Sequence, residues 1–154
     1  MNVKSLLILL CLVTASAAAD QTSVQITGNV ATTCSFTGVN NGNMAINPSN
    51  AKDLGTGNAG GTPATVNLSY IGTPTISVNE ITSFTTTPSD APSSITFQNT
   101  ATSLSLGPLT YSSGVASGTY QSGSADTLTI GLAAIAQTPF TVGSYATSTT
   151  VTCQ

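Results

Sequence analysis

The sequence predicts an all-β protein, an antiparallel sandwich of about seven or eight short strands, and three observations predict it. Apolar residues recur at every second position in several separate stretches, which places them on one face of an extended chain. After the first twenty residues no stretch carries apolar residues at three-and-four spacing free of Gly, Pro and β-branched runs, so helix signals are missing. Clusters of Gly, Pro, Ser and Asn punctuate the chain at short intervals, as in proteins built from many short strands.

The N-terminus is read as a leader. Lys4 supplies a short positive start, Ser5 to Val13 is almost wholly apolar, and Ala15-Ser16-Ala17 or Ala17-Ala18-Ala19 offers the small-x-small pattern of signal-peptidase cleavage. The apolar run is about half the 20 residues that a membrane span needs. Residues 1–19 are therefore expected to be a signal peptide cut after Ala17 or Ala19, and 20–154 a single domain. Cys11 follows Leu10, not the small residue of a lipidation site, and is expected to leave with the leader.

From Ser23 to Phe36 the residues Val24, Ile26, Val30, Cys34 and Phe36 occupy even positions, predicting a first strand with one buried face. Asn40 to Thr62, rich in Asn, Gly and Pro, reads as a surface loop around a short strand at Met44 to Ile46. Val66, Leu68 and Tyr70 share one face, and Ile76 and Val78 follow the turn Ile71-Gly72-Thr73-Pro74, predicting consecutive antiparallel strands. Shorter strands are expected at Ile95 to Gln98, Ser103 to Leu106 and Leu109 to Tyr111. Ser112 to Ala125 reads as a solvated hairpin or a binding loop. Asp126 to Ile135 alternates through Leu128, Ile130 and Leu132, and Tyr145, Thr147, Thr149, Val151 and Cys153 form the last apolar-bearing face. Thr-rich pieces such as Thr85-Thr86-Thr87 raise an ice-binding array, but the fixed repeat that such a ladder requires is missing.

Charge narrows the function. Charged residues make up 5% of the chain, against about 25% in an ordinary soluble domain. Beyond the leader the one basic side chain is Lys52, and the acids are Asp20, Asp53, Glu80, Asp90 and Asp126. Phosphate binding needs clustered Lys and Arg, so nucleic acid is excluded as a partner. The same scarcity excludes a basic anchor on an anionic membrane surface, and no integral membrane segment is expected after cleavage.

Histidine is absent, which removes Ser-His-Asp and Cys-His catalysis and the usual zinc sites. Each carboxylate falls in a turn or at a strand end, where it is expected to be solvated. Lys52 has no apolar surroundings to activate a serine. No enzyme activity, no cofactor and no metal are expected. Cys34 and Cys153 both fall on inward-facing positions of an exported chain and are expected to pair, the alternative being two buried free thiols.

The stretch Ile26-Thr-Gly-Asn-Val30-Ala-Thr-Thr-Cys34-Ser-Phe36, then Val66-Asn-Leu68-Ser-Tyr70 with Ile76-Ser-Val78, and finally Gly143-Ser-Tyr145 with Val151-Thr-Cys153, resembles the pilin-like domains of chaperone-usher fimbriae and their spore-coat-U relatives. The resemblance implies an incomplete immunoglobulin-like sandwich whose missing strand comes from the N-terminal extension of the next subunit, after delivery by a periplasmic chaperone. It implies copies of itself or related subunits as partners, and an extracellular or cell-surface location reached through the periplasm.

Two features depart from that pattern. The cysteine that commonly ends the second long strand is replaced by Tyr70, so the partner of Cys34 must be Cys153, beside or across the donor groove. Only about five residues lie between the expected cleavage site and Val24, whereas a donor arm plus a full first strand would need about ten more. The expected role is a secreted structural or adhesive surface protein, a pilin-like subunit or a self-completed relative. The competing expectation is a monomeric extracellular binding module for carbohydrate, with Tyr70, Tyr111 and Tyr120 as its contacts.

Overall fold

The computed structural model describes Gln25, Thr27 and residues 31–154. The expected leader and the residues Val24, Ile26 and Val30 lie outside the described residues. Within them the chain is all-β, with eleven strand segments in two antiparallel sheets and no helix.

The first sheet is organised by β10 (Ala125–Ala136), the longest strand. One edge of β10 pairs with β6 (Ile95–Ser103) along nine residues. Its other edge is shared by β4 (Ala64–Ile71) and β3 (Asn50–Gly55). Three flanking strands of hydrogen bonds demand an apolar strand, and β10 supplies one: Leu128, Ile130, Leu132, Ala134 and Ala136 are all buried. β1 (Thr33–Asn40) pairs with β4, β2 (Ala45–Asn47) with β3, and β7 (Gly107–Leu109) with β6. The second sheet is smaller, in the order β11 (Val151–Cys153), β5 (Thr75–Asn79), β9 (Val115–Thr119) and β8 (Tyr111–Ser112).

One core lies between the sheets. Val66, Leu68, Tyr70, Leu128 and Ile130 from the first pack against Ile76, Val78 and Ala116 from the second. The alternation expected at 66–70 and 76–78 is thus observed, but the two stretches are not paired with each other. The turn at 71–74 carries the chain from one sheet to the other, with Gly72 at φ 83°, where a β-carbon would also meet Thr32.

Several elements differ from the sequence expectation. The strand expected from Ser23 to Phe36 is described as β1 from Thr33, and it continues past Phe36 to Asn40, the first residue of the expected loop. The register against β4 shifts between Phe36 and Gly38, a bulge that moves the inward parity from even to odd and sets Val39 opposite Val66. The loop at 40–62 holds β3 as well as β2, because Leu54 and Gly55 pack under β10. Ile95 to Ser103 is one strand, and 104–106 is a turn. Ser112 to Ala125, read as a solvated hairpin or binding loop, contains β9 at the middle of the second sheet, with Ala116 and Tyr120 fully buried. Gly118 conceals this strand's periodicity: Leu106 and Leu109 occupy the space where its side chain would be.

Asp126 is also corrected. It is 6% exposed and not solvated, and its carboxylate accepts hydrogen bonds from the hydroxyls of Ser103 (2.5 Å) and Tyr120 (2.5 Å) and from the amide and hydroxyl of Ser105 (both 3.1 Å). Burial works to raise its pKa, but the hydrogen bonds from Ser103, Tyr120, Thr127 and Ser105 outweigh it and hold the carboxyl below its ordinary value. Burial and then the bond to Asp126 push the Tyr120 hydroxyl well above its ordinary value. The Tyr120 ring stacks on Tyr70 with centroids 4.4 Å apart, so this network ties the end of the second sheet to the first.

Cys34 and Cys153 are joined in a disulfide, with Cα atoms 6.0 Å apart and a sequence separation of 119. The bridge joins β1, the edge of the first sheet, to β11, the edge of the second.

Two outcomes follow from these bonds. Replacing both cysteines by Ser lowers stability by about 4 kcal/mol in urea denaturation, since a loop of this length is released in the unfolded chain. Asp126→Ala costs about 3 kcal/mol by leaving Tyr120 and Ser103 unpaired in the interior. Because the folded pKa of Asp126 is depressed, its contribution is complete above the unfolded value of about 4. It drains away as the pH falls through the lower folded value, so the stability of Asp126→Asn varies less with pH on that side.

Candidate functional site

A groove of about 840 Å³ lies between the two sheets, and its shape follows from their unequal size. The first sheet presents Val66, Ile130 and Leu132 beyond the point where the second sheet stops. Those side chains, only 5–6% exposed, form the apolar floor of the groove.

One rim is β1. Its hydrogen-bonding edge away from β4 has no strand partner among the described residues. The bulge aims Phe36 and Val39 at the groove, where they remain 44% and 65% exposed. An edge strand with apolar side chains this open is ordinarily covered or blunted by charge, and β1 carries no charged residue.

The other rim is the chain from Gly143 to Val151, leading into β11. On its far side it pairs with 79–86: Ala146 and Thr86 exchange backbone bonds, Thr85 donates to Ala146, and Asn79 donates to the carbonyl of Thr150. In extended chain successive residues turn their backbone groups to opposite sides. Pairing at Ala146 and Thr150 therefore leaves Tyr145, Thr147 and Thr149 with backbone groups facing the groove. The side chains of Tyr145, Thr147, Thr149, Val151 and Cys153 are all half-buried and their even neighbours exposed, as the sequence alternation predicts.

Both rims are held from below. The side-chain amide of Asn99 donates to the carbonyl of Ile81 and accepts from its amide, both at 2.9 Å, substituting for a strand neighbour and presenting Ile81 to the groove. Phe84 is edge-on to Phe97 and Tyr145, and Phe140 edge-on to Tyr145, at centroid separations of 5.0 to 5.3 Å, which anchors the start of the second rim. Gly143 passes beneath Pro88 with φ 155°, where a β-carbon would collide with the proline ring. No charged side chain among the described residues lines the groove.

The tyrosines expected to contact carbohydrate are placed elsewhere. Tyr70 and Tyr120 are 2% and 0% exposed and belong to the core, and Tyr111 is half-buried with its hydroxyl enclosed and unpaired. Burial and then the nearby Glu80 raise the pKa of Tyr111. None of the three reaches the groove. Asp53 accepts from the side-chain amides of Asn47 and Asn58, Lys52 is exposed, and no cluster of three metal-ligating side chains occurs among the described residues. No helix among the described residues is long and apolar enough to cross a membrane.

Comparison with family models, curated proteins and solved structures yields no match. No local sequence pattern located the groove, which only the resemblance implied. Its one local signal is the break in parity between Phe36 and Val39, with Gly38 at the bulge.

Asn99→Ala leaves the amide and carbonyl of Ile81 unpaired and is expected to lower stability by about 2 kcal/mol in thermal or urea unfolding. Asn99→Asp retains only the bond accepted from the Ile81 amide and falls between the two.

Proposed function

We propose that this chain is a secreted structural subunit of a cell surface, pilin-like in architecture, whose groove is completed by a β-strand from a second copy or a related subunit. The observation that carries this reading is the pair of backbone edges, β1 and 143–151, without strand partners on the groove side among the described residues and facing each other across an apolar floor. A volume of this size also suits a small ligand. Two open edges flanking it are what a peptide strand requires, because its amides and carbonyls then find partners on both sides while alternate side chains enter the floor.

The chain carries a segment of fitting chemistry. Since β1 starts at Thr33, the thirteen residues Asp20–Thr32 precede it, and they contain Val24, Ile26 and Val30 at even positions with no charge after Asp20. The N-terminal arm is therefore longer than the sequence reading allowed, in which Val24 already belonged to the first strand. In this reading the fold is an incomplete immunoglobulin-like sandwich, kept soluble before assembly by a periplasmic chaperone that covers the groove. The neutral, hydroxyl- and amide-rich exterior suits close packing in a fibre or coat, since few charges must be desolvated at contacts. The disulfide suits an oxidising compartment.

Electrophoresis of the native protein in detergent tests the reading. Strand-completed multimers are expected as a ladder that collapses to a monomer on heating. Val39→Asp, at a position exposed in the free subunit, is expected to change its stability by no more than about 0.5 kcal/mol while abolishing the ladder. A monomer in the unheated lane at every concentration would overturn the proposal.

A further inference from the structure

The rim formed by β1 ends in a reactive dipeptide. Asn41-Gly42 is the one Asn-Gly step in the sequence, and both residues are exposed and line the groove. The register that sets Val39 opposite Val66 and Asn40 opposite Thr65 resumes at Asn43, which exchanges backbone bonds with Thr62. No backbone hydrogen bond joins Asn41 or Gly42 to another described residue. The chain is pinned on either side of this pair and not at it.

A close approach requires glycine at 42. A β-carbon there would lie 2.7 Å from the amide nitrogen of Ala64 and 2.9 Å from the carbonyl oxygen of Thr62. The same missing side chain leaves the Gly42 nitrogen unshielded beside the carboxamide of Asn41. Neighbouring carboxamides are held in place: Asn40 donates to the Thr65 hydroxyl, Asn43 to the carbonyl of Gly60 and Asn58 to that of Ala45. Asn41 takes part in none of these bonds.

We propose that Asn41 is a self-modifying site, whose conversion to isoaspartate or aspartate withdraws a subunit with an empty groove from assembly. The deprotonated Gly42 nitrogen attacks the side-chain carbonyl carbon of Asn41, a C–N bond forms, ammonia leaves and a five-membered succinimide results. Water adds to one of the two ring carbonyls and opens the ring. Overall one water enters and one ammonia leaves, with no oxidation or reduction. Either product places a carboxylate on a lining that has no charged side chain among the described residues, and an incoming strand would have to bury it unpaired. Isoaspartate also adds a methylene to the backbone, which puts the bonding groups of Gly42 out of step with a strand neighbour. A strand lying along this edge holds the dipeptide extended, away from the bent geometry of ring closure, so a filled groove is protected. The effect on assembly rests on the strand-accepting reading above, and the ring closure does not.

Peptide mapping by mass spectrometry, with an isoaspartate assay, tests this on the full mature protein incubated in mildly alkaline buffer as dilute monomer and as assembled multimer. Asn41 is expected to convert in the monomer at a rate that rises in proportion to hydroxide, and on the order of tenfold more slowly in the multimer. Aged monomer returned to assembly conditions is expected to lose its unheated ladder in proportion to the product formed. Asn41→Gln, which closes a ring far more slowly, is expected to gain no product and to keep through the incubation whatever ladder it started with. Monomer that retains Asn41 while a free peptide of residues 38–43 converts beside it would overturn the site. Conversion with an undiminished ladder would overturn its effect on assembly and leave the groove a strand acceptor. Fresh protein that forms no ladder would overturn the strand-accepting reading, and the effect on assembly with it.

Discussion

The structure depends on a mismatch between its two sheets. The first is built on a twelve-residue strand whose inner face is apolar from Leu128 to Ala136, while the second offers strands of two to five residues. Where they overlap, Leu68, Tyr70, Ile76, Val78 and Ala116 exclude water and form the core. Where the second sheet stops, Val66, Ile130 and Leu132 form the floor of a groove. That floor is itself buried, and the apolar surface left open is on the rim, at Phe36 and Val39, where it is unfavourable in water by roughly 25 cal/mol per Å². An incoming strand is stabilised by that surface in addition to its backbone bonds.

The disulfide and the buried carboxylate secure the same half of the molecule. Cys34 and Cys153 hold the two sheet edges together, and Asp126 gathers the hydroxyls of Ser103, Ser105 and Tyr120 at the corner between β9 and β10. The closed half is rigid because its polar groups are paired and its side chains interlock. The open half has its side chains in place through Asn99 and the Phe84, Phe97, Phe140 and Tyr145 cluster, but its outer backbone bonds are unmade. A preformed acceptor of this kind loses little entropy when a strand arrives, so most of the ordering cost falls on the incoming segment.

Low charge serves both parts. A strand lying between two edges buries every side chain on one face, and a single carboxylate or ammonium there would need a partner. The groove lining has none, and Asp126 is tolerated in the core because four hydrogen bonds replace its hydration.

What the sequence by itself determined is local. The period of two in 66–70, 76–78, 128–132 and 145–153 established strands and their buried faces, since a pleated chain alternates whatever it pairs with. Inward parity of Cys34 and Cys153 in a chain expected to be exported was enough to predict their bond, and the missing histidine removed whole classes of chemistry. Strand partners were not legible, because Val66 and Ile76 look alike whether their strands lie in one sheet or face each other across a core. β9 was hidden by Gly118, whose missing side chain makes room for Leu106 and Leu109. The burial of Asp126 arises from residues 6 to 23 positions away that no local pattern connects. The groove was decided by tertiary structure alone: it is the place where two sheets of different length fail to cover one another, a property of their packing and of no single segment.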